Sequence, residues 1–308
     1  MADESRFVTL ASNAAAPQAL RPDVTSGRRR LPLAWLATVP FFAYTIAFLF
    51  LPAGSVLIGA FQDNENKATF ANIRLLFHHP YIDAYRTSIE ISLVTAVLGA
   101  VFGLLIAYAA IRDGTPKFIR SGLTTFAGVA ANFGGIPLAF AWIATLGPLG
   151  VVTTWLRRAG WDPTEHGFQL FSKTGVELVY MYFQLPLMIL VIAPAIDGLR
   201  KEWREAASNL GAKQWQFWRY VGIPVLMPSL LGAVILLFGN AFAAYATAYS
   251  LTSGTVNIVP VLIGAYYTGN VLDNPHLAQA LAFGMFVVLA VMMLLYIPLQ
   301  RRAARWAK

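Results

Sequence analysis

The side chains able to do chemistry in this chain are few and scattered. Cysteine is absent, which excludes thiol catalysis, disulfides and thiolate metal sites. The adjacent His78 and His79 point to different sides of a helix or strand, and neither His166 nor His276 lies at a spacing that suits a metal. Serine, histidine and aspartate form no nucleophile motif. No G-x-x-x-x-G-K-[ST] loop is present to cradle a nucleotide. No enzyme site is therefore expected. Charge gathers instead in Leu199–Pro224, which holds Arg200, Lys201, Glu202, Arg204, Glu205, Lys213 and Arg219. Within it, Glu205-Ala206-Ala207 is followed by Gly211 and then by Val221-Gly222-Ile223-Pro224. A fixed negative charge beside two small side chains suits a surface that another protein approaches to backbone distance. An ordinary basic loop is the plainer reading of any one of these residues.

The remaining polar groups of interest interrupt apolar runs. They are Asn132, Gly134, Gly135 and Pro137; Tyr180, Tyr182, Gln184 and Pro186; and Gly239, Asn240 and Tyr245. Polar groups in such runs are costly and face a cavity or another helix. Asn132, Gly135, Pro137, Tyr180, Gln184, Asn240 and Tyr245 are the candidates for a solute path, and a kink that merely aids packing is the alternative.

The elements that position these residues are membrane spans. Hydrophobic residues make up 57% of the chain and charged residues 12%, against roughly a quarter charged in soluble proteins. The net charge of +8 does not mark a nucleic-acid binder, because the basic residues cluster beside apolar runs. Six segments reach the length of about 20 residues needed to cross a bilayer. They are near Leu33–Phe61, Thr87–Ile111, Ile119–Leu146, Gly175–Leu199, Met227–Leu251 and Pro275–Leu299. The expected fold is all-α, a polytopic membrane protein with six transmembrane helices. Residues 1–30 read as a disordered cytoplasmic tail and residues 31–308 as one transmembrane domain. Lys and Arg favour the side holding both termini and Leu199–Pro224 by about three to one, which places those segments in the cytoplasm.

Local structure follows from the same residues. Arg200 through Leu210 predicts a short helix that Gly211 ends by taking a positive φ. Ala212 through Tyr220 predicts a second short helix with Trp215 and Trp218 on one side, and Pro224 predicts a turn into the next span. Gly150–Leu156 predicts an amphipathic helix, and Ile258–Tyr267 a short outer helix. Only the third span shows a clear break. No Asp, Glu, Lys or Arg falls at a span midpoint, which disfavours a proton relay or voltage sensor.

The spacing E-A-A-x3-G-x9-[IV]-x-[IL]-P resembles the signature of permease subunits of type I ABC importers. Phe70–Ile73, Pro80-Tyr81, Tyr85–Ser88 and Gly147–Val152 are similar to that family's outer segments, so the resemblance runs from about Leu33 to Leu299. It implies a type I ABC importer permease fold in a bacterial inner membrane. It implies that the 199–224 loop is a coupling helix docking on a separate ATPase through Glu205, Ala206, Ala207, Asn209, Gly211 and Trp215. The implied partners are a second permease, with a heterodimer favoured over a homodimer, two ATPases and an extracytoplasmic solute-binding protein, with ATP-Mg held on the ATPase subunits and no cofactor on this chain. Tyr245–Ala248 and the overall pattern resemble the branch that includes polyamine, iron, thiamine and phosphonate importers, with polyamine as the first expected substrate. A secondary transporter or channel acting without ATP is the rival reading.

Overall fold

The computed structural model describes residues 34–111, 115–269 and 274–304. The 1–30 tail lies outside the described residues. The described residues are helical apart from connecting turns and one antiparallel bridge between Gln62 and Ala68. Six segments are long and apolar enough to cross a membrane: Thr38–Gly59, Tyr81–Ile111, Gly135–Arg158, Lys173–Asp197, Gln214–Phe242 and His276–Ala303.

The chain divides after Pro52. On the first side lie α1 (Ala34–Thr45) and a π-helical turn, Ile46–Phe50. Phe41, Phe42, Phe48 and Leu49 are all exposed, as expected for a helix whose solvent is lipid. The second unit begins within α2 (Leu51–Gly59). It continues with α3 (Ala71–Leu75), α4 (Tyr81–Ile111), α5 (Lys117–Asn132), α6 (Gly135–Leu146) and α7 (Val151–Arg158). After these come α8 (Lys173–Asp197), α9 (Lys201–Asn209), α10 (Gln214–Phe217), a second π turn (Trp218–Gly222), α11 (Ile223–Phe242), α12 (Ala246–Thr252), α13 (Val259–Thr268) and α14 (Pro275–Ala304).

α4 is the centre of this unit, packed against α8 and α11, with α14 against α11, α5 against α8 and α6 against α12. Small residues let α4 come close. A Cβ on Gly99 would lie 2.9 Å from the Gln184 Cβ, and one on Gly103 only 2.6 Å from the Met188 Cβ. Gly99-x3-Gly103 is thus a small-residue seam of the kind that brings membrane helices into backbone contact. Gln184, fully buried in α8, donates its Nε2–H to the Leu237 carbonyl of α11 at 2.9 Å. The Ser88 hydroxyl of α4 accepts the Val259 N–H that opens α13, also at 2.9 Å.

Two carboxylates near span ends are paired. Glu90 meets Lys173, and Asp197 meets Arg120. Exposed heads at span ends fit the rule that long charged side chains reach toward water.

The structure departs from the sequence expectations in three places. The third segment long enough to cross is Gly135–Arg158, made of α6 and α7, in place of Ile119–Leu146, and the expected break in that run lies at Phe133-Gly134, between α5 and α6. The fifth span is also broken: α11 stops at Phe242, and α12 starts again at Ala246. The break in the third span is therefore not alone. Finally, the chain does not turn at Pro224, and the second short helix is confined to Gln214–Phe217. Helix runs on from Gln214 to Phe242, because the π turn before Pro224 widens the bond register so that the Ile223 N–H reaches the Trp218 carbonyl. A wider turn accommodates a residue that has no N–H of its own to donate. The same device precedes Pro52, where the Leu51 N–H bonds to the Ile46 carbonyl.

Candidate translocation site and coupling helix

The two span breaks meet. Gly134 is extended, and Gly135 takes φ +69, a conformation that a β-carbon disfavours. Its N–H donates to the Thr247 Oγ1 at 2.8 Å, joining the start of α6 to the first turn of α12. The Tyr180 hydroxyl of α8 donates to the Ala244 carbonyl at 2.8 Å, so the interrupted backbone of the fifth span has a partner. Backbone groups released by a broken helix inside a membrane need such substitutes.

A cavity of about 300 Å³ opens at this junction. Asn132, Gly135, Phe183, Asn240, Tyr245 and Thr247 are among its lining residues, and no ionisable acid or base of the Asp, Glu, Lys, Arg or His type is. Asn132 Nδ2 is turned back on the Gly128 carbonyl at 2.9 Å. Tyr245 stacks on Tyr249 with ring centroids 5.5 Å apart. It leans on α13, where a Cβ on Gly264 would fall 2.5 Å from its ring.

Of the path candidates expected from sequence, Asn132, Gly135, Asn240 and Tyr245 come together here. Tyr180 and Gln184 do not line the cavity: both are buried, and each holds a backbone carbonyl of the fifth span. Pro137 lies in the first turn of α6, exposed and outside the lining. Phe183 and Thr247 were not anticipated. Thr247 gave no distinct signal, because its role depends on the Gly135 N–H of another span.

The charged island forms a separate surface. α9 has no buried residue, and Glu205, Ala206, Asn209 and Gly211 are exposed, with Ala207 half-buried. Gly211 takes φ +76 and ends α9, as its sequence predicted. The Leu210, Gly211 and Ala212 N–H groups cap the carbonyls of Ala206, Ser208 and Ala207. Leu210 is 87% exposed and Trp215 56%, leaving two large apolar side chains uncovered beside Glu205. Phe217 is buried and carries the Arg204 guanidinium over its ring at 5.7 Å. Trp218 packs edge-on against Tyr108 of α4 at 4.6 Å, and Gln214 reaches the same tyrosine hydroxyl at 3.4 Å. The island is thus fastened to α4 on its inner side and bare on its outer side.

Residues 167–306 match the model of the family described as binding-protein-dependent transport system inner membrane component. The match spans the island and the break in the fifth span. The chain is 26% identical over 249 residues to a probable sulfate transport system permease protein cysT of Nephroselmis olivacea, covering 79% of this chain and 81% of that one. It is 27% identical to the sulfate transport system permease protein CysW of Synechocystis, covering 81% and 84% of the two chains. A solved bacterial ABC transporter for import of the acidic polysaccharide alginate superposes with a TM-score of 0.70 at 19% identity, covering 88% of this chain and 95% of that one. The fold is that of a type I ABC importer permease.

The chain is thus similar to inner-membrane permease components of importers, and six of its segments are long and apolar enough to cross a membrane. Its relatives correct one expectation. The two named here bear the names of sulfate permeases, not of the polyamine, iron, thiamine and phosphonate branch. The Tyr245–Ala248 run behind that expectation lies at the span break and the start of α12.

Proposed function

We propose that this permease forms half of an ATP-driven path for a small oxyanion of the sulfate class. The observation that carries the reading is the junction of the two broken spans. There, amide and hydroxyl side chains of Asn132, Asn240, Tyr245 and Thr247 border a cavity without a carboxylate. An anion in such a place meets dipoles and no like charge. It also meets no fixed cation to hold it, so it can be released after passage. The names of the relatives support the substrate class. Selectivity in this reading belongs to an extracytoplasmic solute-binding protein that delivers the anion.

The bare face of α9 is the seat of an ATPase subunit, through Glu205, Ala206, Ala207, Asn209, Gly211 and Trp215. It faces the cytoplasm, with both termini on the same side. Two ATPases and a second, non-identical permease complete the importer, and ATP-Mg binds on the ATPases. Their closure moves α9 and rocks the spans between two access states. A carrier or channel working without ATP has no use for a helix held bare in this way.

The test is reconstitution into proteoliposomes with the cognate second permease, ATPase and binding protein. Sulfate uptake that requires ATP is expected. Uptake at the same rate without nucleotide would remove the coupling reading. ATP-driven uptake of a different solute class, with sulfate ignored, would remove the substrate reading.

A further inference from the structure

We propose that the groove between α3, α4 and α14 is a seat for one anionic phospholipid, with an acyl chain in the groove and the phosphate held by Arg74 and Arg86. The groove has a volume of about 380 Å³ and is lined by apolar side chains, among them Ile73, Phe77, Ile82, Ile89 and Val287. Its floor is fixed. The Tyr85 hydroxyl donates to the Leu281 carbonyl, and a Cβ on Gly284 would lie 2.1 Å from that hydroxyl oxygen, so the two helices are locked below the opening. Phe77 is 72% exposed and Val287 44%, so the slot is open along its side.

Charge at the rim selects the occupant. Arg86 stands one turn from both Ile82 and Ile89, on the shoulder of the face that lines the groove. Arg74 adjoins Ile73. Both guanidinium groups are exposed, and neither side chain makes a hydrogen bond or a close ion pair among the described residues, although the charge of Arg86 is felt by Glu90 one turn along α4. Of the nearby carboxylates, Glu90 is paired with Lys173, and Asp83 is bonded to the His79 ring. Two exposed cations above an apolar slot at one end of a span match the shape of a phospholipid, with charge at the interface and methylene below. This end of α4 is opposite the Tyr108 end that holds the island, so the lipid comes from the leaflet away from α9. The inference is independent of the transported solute.

The experiment uses the full chain in nanodiscs of equal dioleoylphosphatidylglycerol and dioleoylphosphatidylcholine, released for native mass spectrometry. Retention of the glycerol lipid over the choline lipid is expected, by about fivefold for each arginine, the effect of one basic side chain near an anionic surface. The R74Q/R86Q double variant, altered only at exposed positions, should return the retained lipids to the bulk ratio. Val287→Trp should expel both lipids. The proposal falls if the wild-type chain retains lipids at the bulk ratio. It falls equally if the double variant keeps the preference, if Val287→Trp retains the wild-type lipid, or if a cross-linker at Val287→Cys captures another protein chain in place of lipid.

Discussion

The Gly135 N–H and the Thr247 hydroxyl oxygen, 2.8 Å apart, fasten the break in one span to the break in another. Thr247 is buried, so its loss leaves a donor without a partner. Thr247→Val should lower stability by about 1–3 kcal/mol, the cost of a buried unsatisfied group. Thr247→Ser should restore it. Thermal unfolding in detergent together with uptake in proteoliposomes checks the pair. Equal behaviour of the valine and serine variants would show that the bond does not hold the junction.

A second prediction concerns Tyr245, whose ring rests on Gly264 of α13. A methyl group at residue 264 would have to displace that ring. Gly264→Ala should therefore slow uptake while the chain still inserts and folds. The further substitution Tyr245→Ala should relieve the clash, so the double variant should be more stable than Gly264→Ala alone. Melting temperatures of the four proteins in the cycle decide it.

The third lies on α9. Glu205→Arg reverses the charge of the bare face without touching a buried group, and it should abolish uptake and co-purification of the ATPase. Gly211→Val should act differently. A β-branched residue at φ +76 costs about 1–2 kcal/mol, so the end of α9 should fray. Amide exchange across residues 201–212 should rise for the valine variant and stay unchanged for Glu205→Arg. Normal ATP-driven uptake in both variants would remove the docking assignment.

The fourth concerns acidity outside the spans. The Arg157 guanidinium beside Asp162, joined by the Thr164 N–H, holds that carboxyl below its ordinary value of 3.8. A depressed folded pKa means that the tie contributes stability above the unfolded pKa and loses it as pH falls through the folded one. Residues 159–167, where Trp161 stacks on His166, should hold their protection down to about pH 4 and open below it. Asp162→Asn should show a loosened loop at neutral pH and no such acid step. Exchange measured on both proteins between pH 3 and pH 6 tests the sign.

Much of this was legible in the residues. Gly134, Gly135 and Pro137 announced the break in the third span, and Gly211 announced the end of α9. The break at Ala243–Tyr245 was hidden, because an alanine-rich run is a good helix former and nothing local stops it. It is stabilised from a distance, by the Tyr180 hydroxyl on the Ala244 carbonyl and by Thr247 on Gly135. Tyr180 and Gln184 stood out as polar residues in an apolar span. Their partners are backbone carbonyls of α11 and the turn after it, which only the packing reveals. Pro224 signalled a turn by the usual rule, but the π register of Trp218–Gly222 absorbed it. The seam at Gly99 and Gly103 emerged only from the packing, because which helix a small residue faces depends on the bundle.

Gln214–Phe242 is one helical rod of 29 residues, about 43 Å long at 1.5 Å per residue. Its first turn belongs to the island that Tyr108 anchors, and its last residue borders the break where the cavity opens. A tilt of only ten degrees about the first turn would swing the far end by about 7 Å, more than the width of a water molecule or a small ion. In the importer proposed above, a modest push on one face of the bilayer would thereby be enlarged at the other, without any wire of intermediate contacts.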